Sequence, residues 1–248
     1  MQELINQYFD VGFMVDHFDE VLEGFWLTIQ LSLVAGILSL VWGLILAQFR
    51  QLPGRKFLPV RGLTIAYIDV FRGVPLLIMI LLISGSLPAL DFLPEWLRIP
   101  RWLGKPDPFW YGVMAITITY GAYMAEVYRS GIESVPQGQM EAARSLGMSH
   151  RQAMRNVIIP QAVRRVFAPL LNDFIALMKD TTLVSAIALN EVALVGRDIQ
   201  SNTFNSSALT LGAILFLVVT LPLARVVDKL IAREQSRFTR GAPRVEAL

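Results

Sequence analysis

Long apolar runs broken by short charged stretches set the pattern of this chain. The clearest run, Phe25 to Ala47, holds no ionisable residue. Crossing a bilayer core takes about 20 predominantly apolar residues, so this run predicts a transmembrane helix. A second run, Leu63 to Ile83, carries Asp69, Arg72 and Pro75 within it. A third extends from Phe109 to Val127 and ends in TYGAYMAEV. A fourth, Val166 to Met178, is short, includes Asn172 and Asp173, and must take length from its flanks. A fifth, Ser207 to Val227, is strongly apolar again. The pattern predicts an all-α integral membrane chain with five transmembrane helices.

The polar stretches between the runs orient it. Residues 1–24 hold six acids (Glu3, Asp10, Asp16, Asp19, Glu20, Glu23) and no base. Bases gather after the first run (Arg50, Arg55, Lys56, Arg61) and after the third (Arg129, Arg144, Arg151, Arg155, Arg164, Arg165). They gather again after the fifth (Arg225, Lys229, Arg233, Arg237, Arg240, Arg244), so these three segments hold 16 of the 22 basic residues. Cytoplasmic loops are the basic ones, which places the N-terminus outside and the C-terminus in the cytoplasm. An odd number of spans follows, in agreement with the five apolar runs. The reading divides the chain into an external segment 1–24, a transmembrane domain 25–235 and a cytoplasmic tail 236–248. The acidic, base-free start argues against a cleavable leader.

Composition agrees. The 248 residues are 54% hydrophobic and 17% charged, and mean hydropathy is +0.51. A soluble domain carries about a quarter charged residues. With no cysteine, disulfides, thiolate metal sites and cysteine nucleophiles are excluded. His17 and His150 fall in different compartments of the predicted topology, so no metal centre is expected. No GxxxxGK[ST] loop occurs, so any ATP-driven process needs a nucleotide-binding partner. No nucleophile–base pair suggests an enzyme, and no nucleic-acid partner is expected.

One stretch of the third basic segment is compact and helix-rich. Pro136-Gln137-Gly138 is turn chemistry. Met140 to Leu146 is a run of good helix formers, and Gly147 suits the left-handed position past a helix end. Ser149 with Gln152 three residues on forms a capping box. Pro160 marks where the second helix stops or bends. The result is helix, glycine turn, helix over 136–160. Spacing alone leaves open a surface hairpin joining two spans and an element that docks on a partner.

The residues of that stretch resemble a known family. Glu141-Ala142-Ala143, then Gly147, then Val157-x-Ile159-Pro160, is similar to the EAA loop of ABC importer permeases, with V-x-I-P in place of I-x-L-P. FRGVPLL (71–77), YRSGIESVPQGQMEAARSLG (128–147) and LMKDTTLVSAI (177–187) resemble blocks of the polar amino acid branch, and the likeness covers roughly 20–235. The resemblance implies the type I importer permease fold and an importer of polar amino acids that works as a dimer with a second copy or a related permease. It implies an ABC ATPase subunit that holds ATP and Mg, this chain holding no cofactor, and an extracytoplasmic substrate-binding protein. It places the multi-pass chain in a bacterial plasma membrane. It assigns coupling to the ATPase to Glu141, Ala142, Ala143, Gly147 and Pro160. A gradient-driven secondary transporter or channel subunit is the alternative reading, but the internal repeats common in such folds are absent.

Ionisable groups inside spans are costly and mark functional candidates. Asp69 and Arg72, three apart, share a helical face and are expected to pair; with Pro75, which can kink the helix, they form a structural set. Tyr120 and Tyr123 suit interfacial anchoring. Asn172, Lys179 and Thr182 lie near one face of the fourth helix. With Tyr123, Asp173, Asp180 and Thr181 they are the candidate substrate pathway. The outer loop Ser86–Pro108, with five prolines and tryptophans at 96 and 102, is expected to form a partly helical cap at the membrane interface. Leu189–Phe204 is expected to be the second outer element.

Overall fold

The computed structural model describes residues 2–241 and the side chains of residues 2–232. Residues 242–248 of the expected tail, Arg244 among them, lie outside the described residues, as do the side chains of Arg233, Arg237 and Arg240. The described residues form helices and turns, with no strand among them.

Two short helices, α1 (Gln2–Tyr8) and α2 (Val11–Asp16), lead into α3 (Phe18–Arg50). The acidic start does not hang free. Ser206 donates its N–H to the Gln7 carbonyl at 2.9 Å, and Asp10 donates its N–H to Ser207 Oγ at 3.0 Å. The second apolar run forms two helices rather than one span, α4 (Leu58–Gly73) and α5 (Leu76–Ser86). Their directions differ by 105°. Pro75 supplies no N–H, and its ring pushes the preceding residue out of helical geometry. Val74 is accordingly extended, at φ −88° and ψ 129°.

The outer loop contains one helical turn, α6 (Glu95–Arg98), before α7 (Asp107–Glu133). Then come α8 (Gln137–Ser145) and α9 (His150–Ala153). A π turn, Met154–Ile158, carries α9 straight into α10 (Ile159–Asp180). The expected stop or bend at Pro160 is therefore a widened turn inside a continuous helix, because the π register removes the need for the N–H that proline lacks. The 22 residues of α10 supply the length that the fourth run lacked. A 3₁₀ stretch (Thr181–Ile187) joins it to α11 (Val192–Thr203) and α12 (Ser207–Gly241).

By length and apolarity, α3 and the Ser207–Ala232 part of α12 can each cross a membrane, and α4–α5 adds a third crossing if the bent pair is one span. The helices α7 and α10 have the length, 27 and 22 residues, but a polar face each. Helix α7 is the hub and packs on α3, α4, α5 and α10. Its crossing with α3 depends on glycine: a Cβ at Gly121 would stand 2.5 Å from Trp42 Cδ1, and one at Gly43 2.8 Å from Met124 Cβ. Small residues of this kind let membrane helices approach closely.

Candidate functional site

Two features are built around α10. The first is the hairpin at its start. Helix α8 ends at Gly147, which adopts φ +82°. Met148 N–H donates to the Ala143 carbonyl at 3.2 Å and Gly147 N–H to that of Arg144 at 3.0 Å. These two bonds form a Schellman cap. Ser149 and Gln152 complete the capping box, at 3.2 and 2.8 Å. The inner side of the hairpin is apolar: Met140 and Met154 pack on Val135, Ile158 and Ala162. Arg165 fastens the corner, donating to the carbonyl of Ser134 and, at 3.2 Å, to its hydroxyl. Glu141 and Ala142 face outward, Ala143 is buried beneath them, and Leu146 at the turn is 81% exposed. The hairpin is thus a rigid knob with one free face. Pro160 lies at its base in α10, under the π turn.

The second feature is a cavity of about 310 Å³ between α7, α10 and the α4–α5 break. Arg72, Pro75, Thr119, Tyr120, Tyr123, Asp173 and Asp180 are among its lining residues. The helix break builds one wall. Where the chain leaves helical geometry, the Arg72 carbonyl is free to accept Tyr123 Oη at 3.1 Å. The Arg72 guanidinium lies 5.6 Å from the Tyr123 ring centroid. Tyr120 Oη donates to Asp180 Oδ2 at 2.8 Å. Asp173 Oδ2 and Thr119 Oγ1 are buried without a hydrogen-bond partner among the described residues. Orphaned polar atoms are rare in native interiors. Here they sit in a cavity that also holds a guanidinium, a second carboxylate and two phenols.

The expected pathway residues therefore divide. Tyr123, Asp173 and Asp180 meet in the cavity. Asn172 and Lys179 lie on an exposed face of α10. Thr181 and Thr182 hold the end of α10, donating to the carbonyls of Met178 and Lys179 at 2.7 Å each. The expected pair Asp69–Arg72 does not form among the described residues: Asp69 is exposed, while Arg72, in the last turn before the break, lines the cavity. Tyr120 is no interfacial anchor but is buried on Asp180.

Two features had no role in the sequence reading. Arg50 at the end of α3 meets Glu126 of α7 at 2.7 Å, and Glu126 also pairs with Arg129, which pairs with Glu133. Only the charge of Glu126 at the edge of an apolar run hinted at this. Glu191 is fully buried and caps α11, its Oε1 accepting from the N–H groups of Ala193 and Leu194 at 3.0 Å each. Its Oε2 lies 3.4 Å from Thr28 Oγ1 on α3. Burial pushes its carboxyl up to about 7, against the lowering effect of the two amides, Thr28 and Arg197. An acid just before a helix is an N-cap signature, but nothing local shows that α3 will cover it.

Known proteins share this architecture. The sequence profile of a family described as binding-protein-dependent transport system inner membrane component matches residues 39–235. A probable glutamine ABC transporter permease protein of Bacillus subtilis (strain 168), GlnM, is 33% identical over 237 residues, covering 92% of this chain and 100% of the relative. The glutamate transport system permease protein GluC of Corynebacterium efficiens is 35% identical over 212 residues, covering 85% and 92%. A crystal structure of an amino acid ABC transporter with histidines superposes with a TM-score of 0.79 at 33% identity, over 90% of this chain and 98% of that one.

Proposed function

This chain belongs to the family of binding-protein-dependent transport system inner membrane components, and from that premise we propose that it is the permease subunit of an ATP-driven importer of polar amino acids in a bacterial plasma membrane. The relatives are transport subunits, not enzymes. In this reading α3, the broken α4–α5 pair, α7, α10 and α12 are the five spans, with the N-terminus outside. A dimer with a second copy or a related permease encloses the pathway, and Asn172 and Lys179 on the open face of α10 turn toward the partner.

The observation that carries the reading is the rigid knob of α8 and α9, joined by one continuous helix to the cavity carboxylates. A partner ATPase, which binds ATP and Mg, grips Glu141 and Ala142 on the free face. Its closure pushes α9. The π turn and α10, unbroken as a helix although Pro169 lies within it, carry the push to Asp173 and Asp180, and coupling requires such a two-state element biased from both ends. The cavity suits a zwitterion: Arg72 faces a substrate carboxylate, and Asp173 and Asp180 face an ammonium. An extracytoplasmic binding protein delivers the substrate.

Pulldown of the tagged chain from mildly solubilised native membranes, with Glu141→Ala beside wild type, tests this. Recovery of an ATPase with wild type, weakened in the variant, is the expected result. Absence of any ATPase across several mild detergents overturns the proposal and favours a gradient-driven transporter.

A further inference from the structure

The outer loop 87–106 is built unlike a segment in water. Arg98 is half-buried and three loop carbonyls are tied down, while Asp91, Glu95 and Arg101 stay exposed. Arg98 pairs with Asp91 at 2.6 Å and donates to the Pro88 carbonyl at 3.4 Å. Tyr111 Oη of α7 donates to the Arg98 carbonyl at 2.6 Å, and Trp110 Nε1 to that of Trp102 at 3.0 Å. The rings of Trp96, Trp102 and Trp110 meet in series as tilted pairs, with centroids 6.0 and 5.0 Å apart. These bonds fix the loop to the start of α7. Three of its large apolar side chains are left open: Phe92 is 80% exposed, Trp96, beyond its contact with Trp102, 61%, and Leu103 89%.

Leu103 is also strained. It adopts φ +53° and ψ +33°, a region where a bulky L-residue is an outlier. Glycine would satisfy the backbone here without strain, and Gly104 follows at φ +68°. What leucine adds is an apolar side chain held outward.

We infer that this loop is a membrane anchor, with Phe92, Trp96 and Leu103 immersed at the boundary between headgroups and acyl chains. Lipid is the occupant because the loop continues an apolar surface of α5: Leu77, Ile78, Leu81 and Leu82 are all exposed on this chain and lead directly into it. In the proposed topology the loop joins α5, the short second arm of the bent α4–α5 pair, to α7, so it lies at the membrane boundary whichever side that is. Tryptophan amid apolar neighbours favours this zone, and the basic residues Arg101 and Lys105 beside Leu103 suit lipid phosphates. The inference rests on α5 being within the membrane, as the proposed function has it.

The chain has no cysteine, so single nitroxide labels can be placed at Leu103→Cys, Phe92→Cys and, as the control within α5, Leu81→Cys. Power saturation of the chain in nanodiscs compares collision with oxygen, which partitions into lipid, and with a water-soluble nickel chelate. Labels at 103 and 92 should collide several-fold more with oxygen than with the chelate, and a label at Arg101→Cys the reverse. Chelate-dominated collisions at both 92 and 103, with oxygen still dominating at 81, overturn the anchor and leave the span standing. Chelate-dominated collisions at 81 overturn the span reading, and the anchor with it. Shielding of 92 and 103 from both reagents only after an extracytoplasmic binding protein is added would make that protein the occupant and overturn the lipid assignment.

Discussion

At the scale of the residue, Glu191 makes the sharpest claim. A buried carboxyl whose folded value is raised holds its proton more tightly in the native state than in the unfolded one. Stability from it is complete below the ordinary value of 4.5 and is lost as pH rises toward about 7. The melting temperature of the detergent-solubilised chain should therefore fall across that window. Glu191→Gln keeps an acceptor for the two amides and gains a donor toward Thr28, so its melting temperature should stay flat across the same window; an unchanged slope would refute the assignment. Legibility at this scale was uneven. Gly147 and the Ser149–Gln152 box could be read from sequence because caps are local, spanning four or five residues. Tyr120, Arg72 and Glu191 could not, because their partners lie 60, 51 and 163 residues away.

At the scale of the element, the break at Val74-Pro75 does two jobs. It ends α4 so that Arg72 reaches the cavity, and it releases the carbonyl that receives Tyr123. Pro75→Ala removes the steric reason for the extended Val74 and lets the helix run on. Uptake should fall several-fold while the complex still assembles, as size-exclusion of the purified assembly would show; full uptake would mean the bend is held by packing alone. Sequence located the proline and suggested a kink, but not a turn of 105°. The size of a bend is set by what the second arm packs against, here α7 and the 3₁₀ stretch. The apolar runs located each long helix, yet understated α10 by several residues at its start. Its first turns are polar because the hairpin, not lipid, surrounds them.

At the scale of the whole molecule, the exposed face of α10 is the expected meeting place with a second permease. Lys179→Met should lower uptake by proteoliposomes carrying ATP inside, with copurification of the second copy unchanged; wild-type uptake would remove Lys179 from the pathway. The π turn at 154–158 has a different implication. Each residue of an α-helix advances about 100° around its axis, and a π turn inserts one residue beyond the α repeat. The turn therefore takes up that residue and leaves the azimuth of everything downstream in place. Deleting one residue there would only close the wide turn to an α turn, but deleting one between Ile159 and Asp173 would rotate Asp173 and Asp180 about 100° away from Tyr120 and Tyr123 relative to the hairpin. Every side chain named in the site would survive, the ATPase would still dock, and transport would stop. In the proposed coupling, drive between the two ends of α10 depends on angular phase, like a keyed shaft, as well as on thrust.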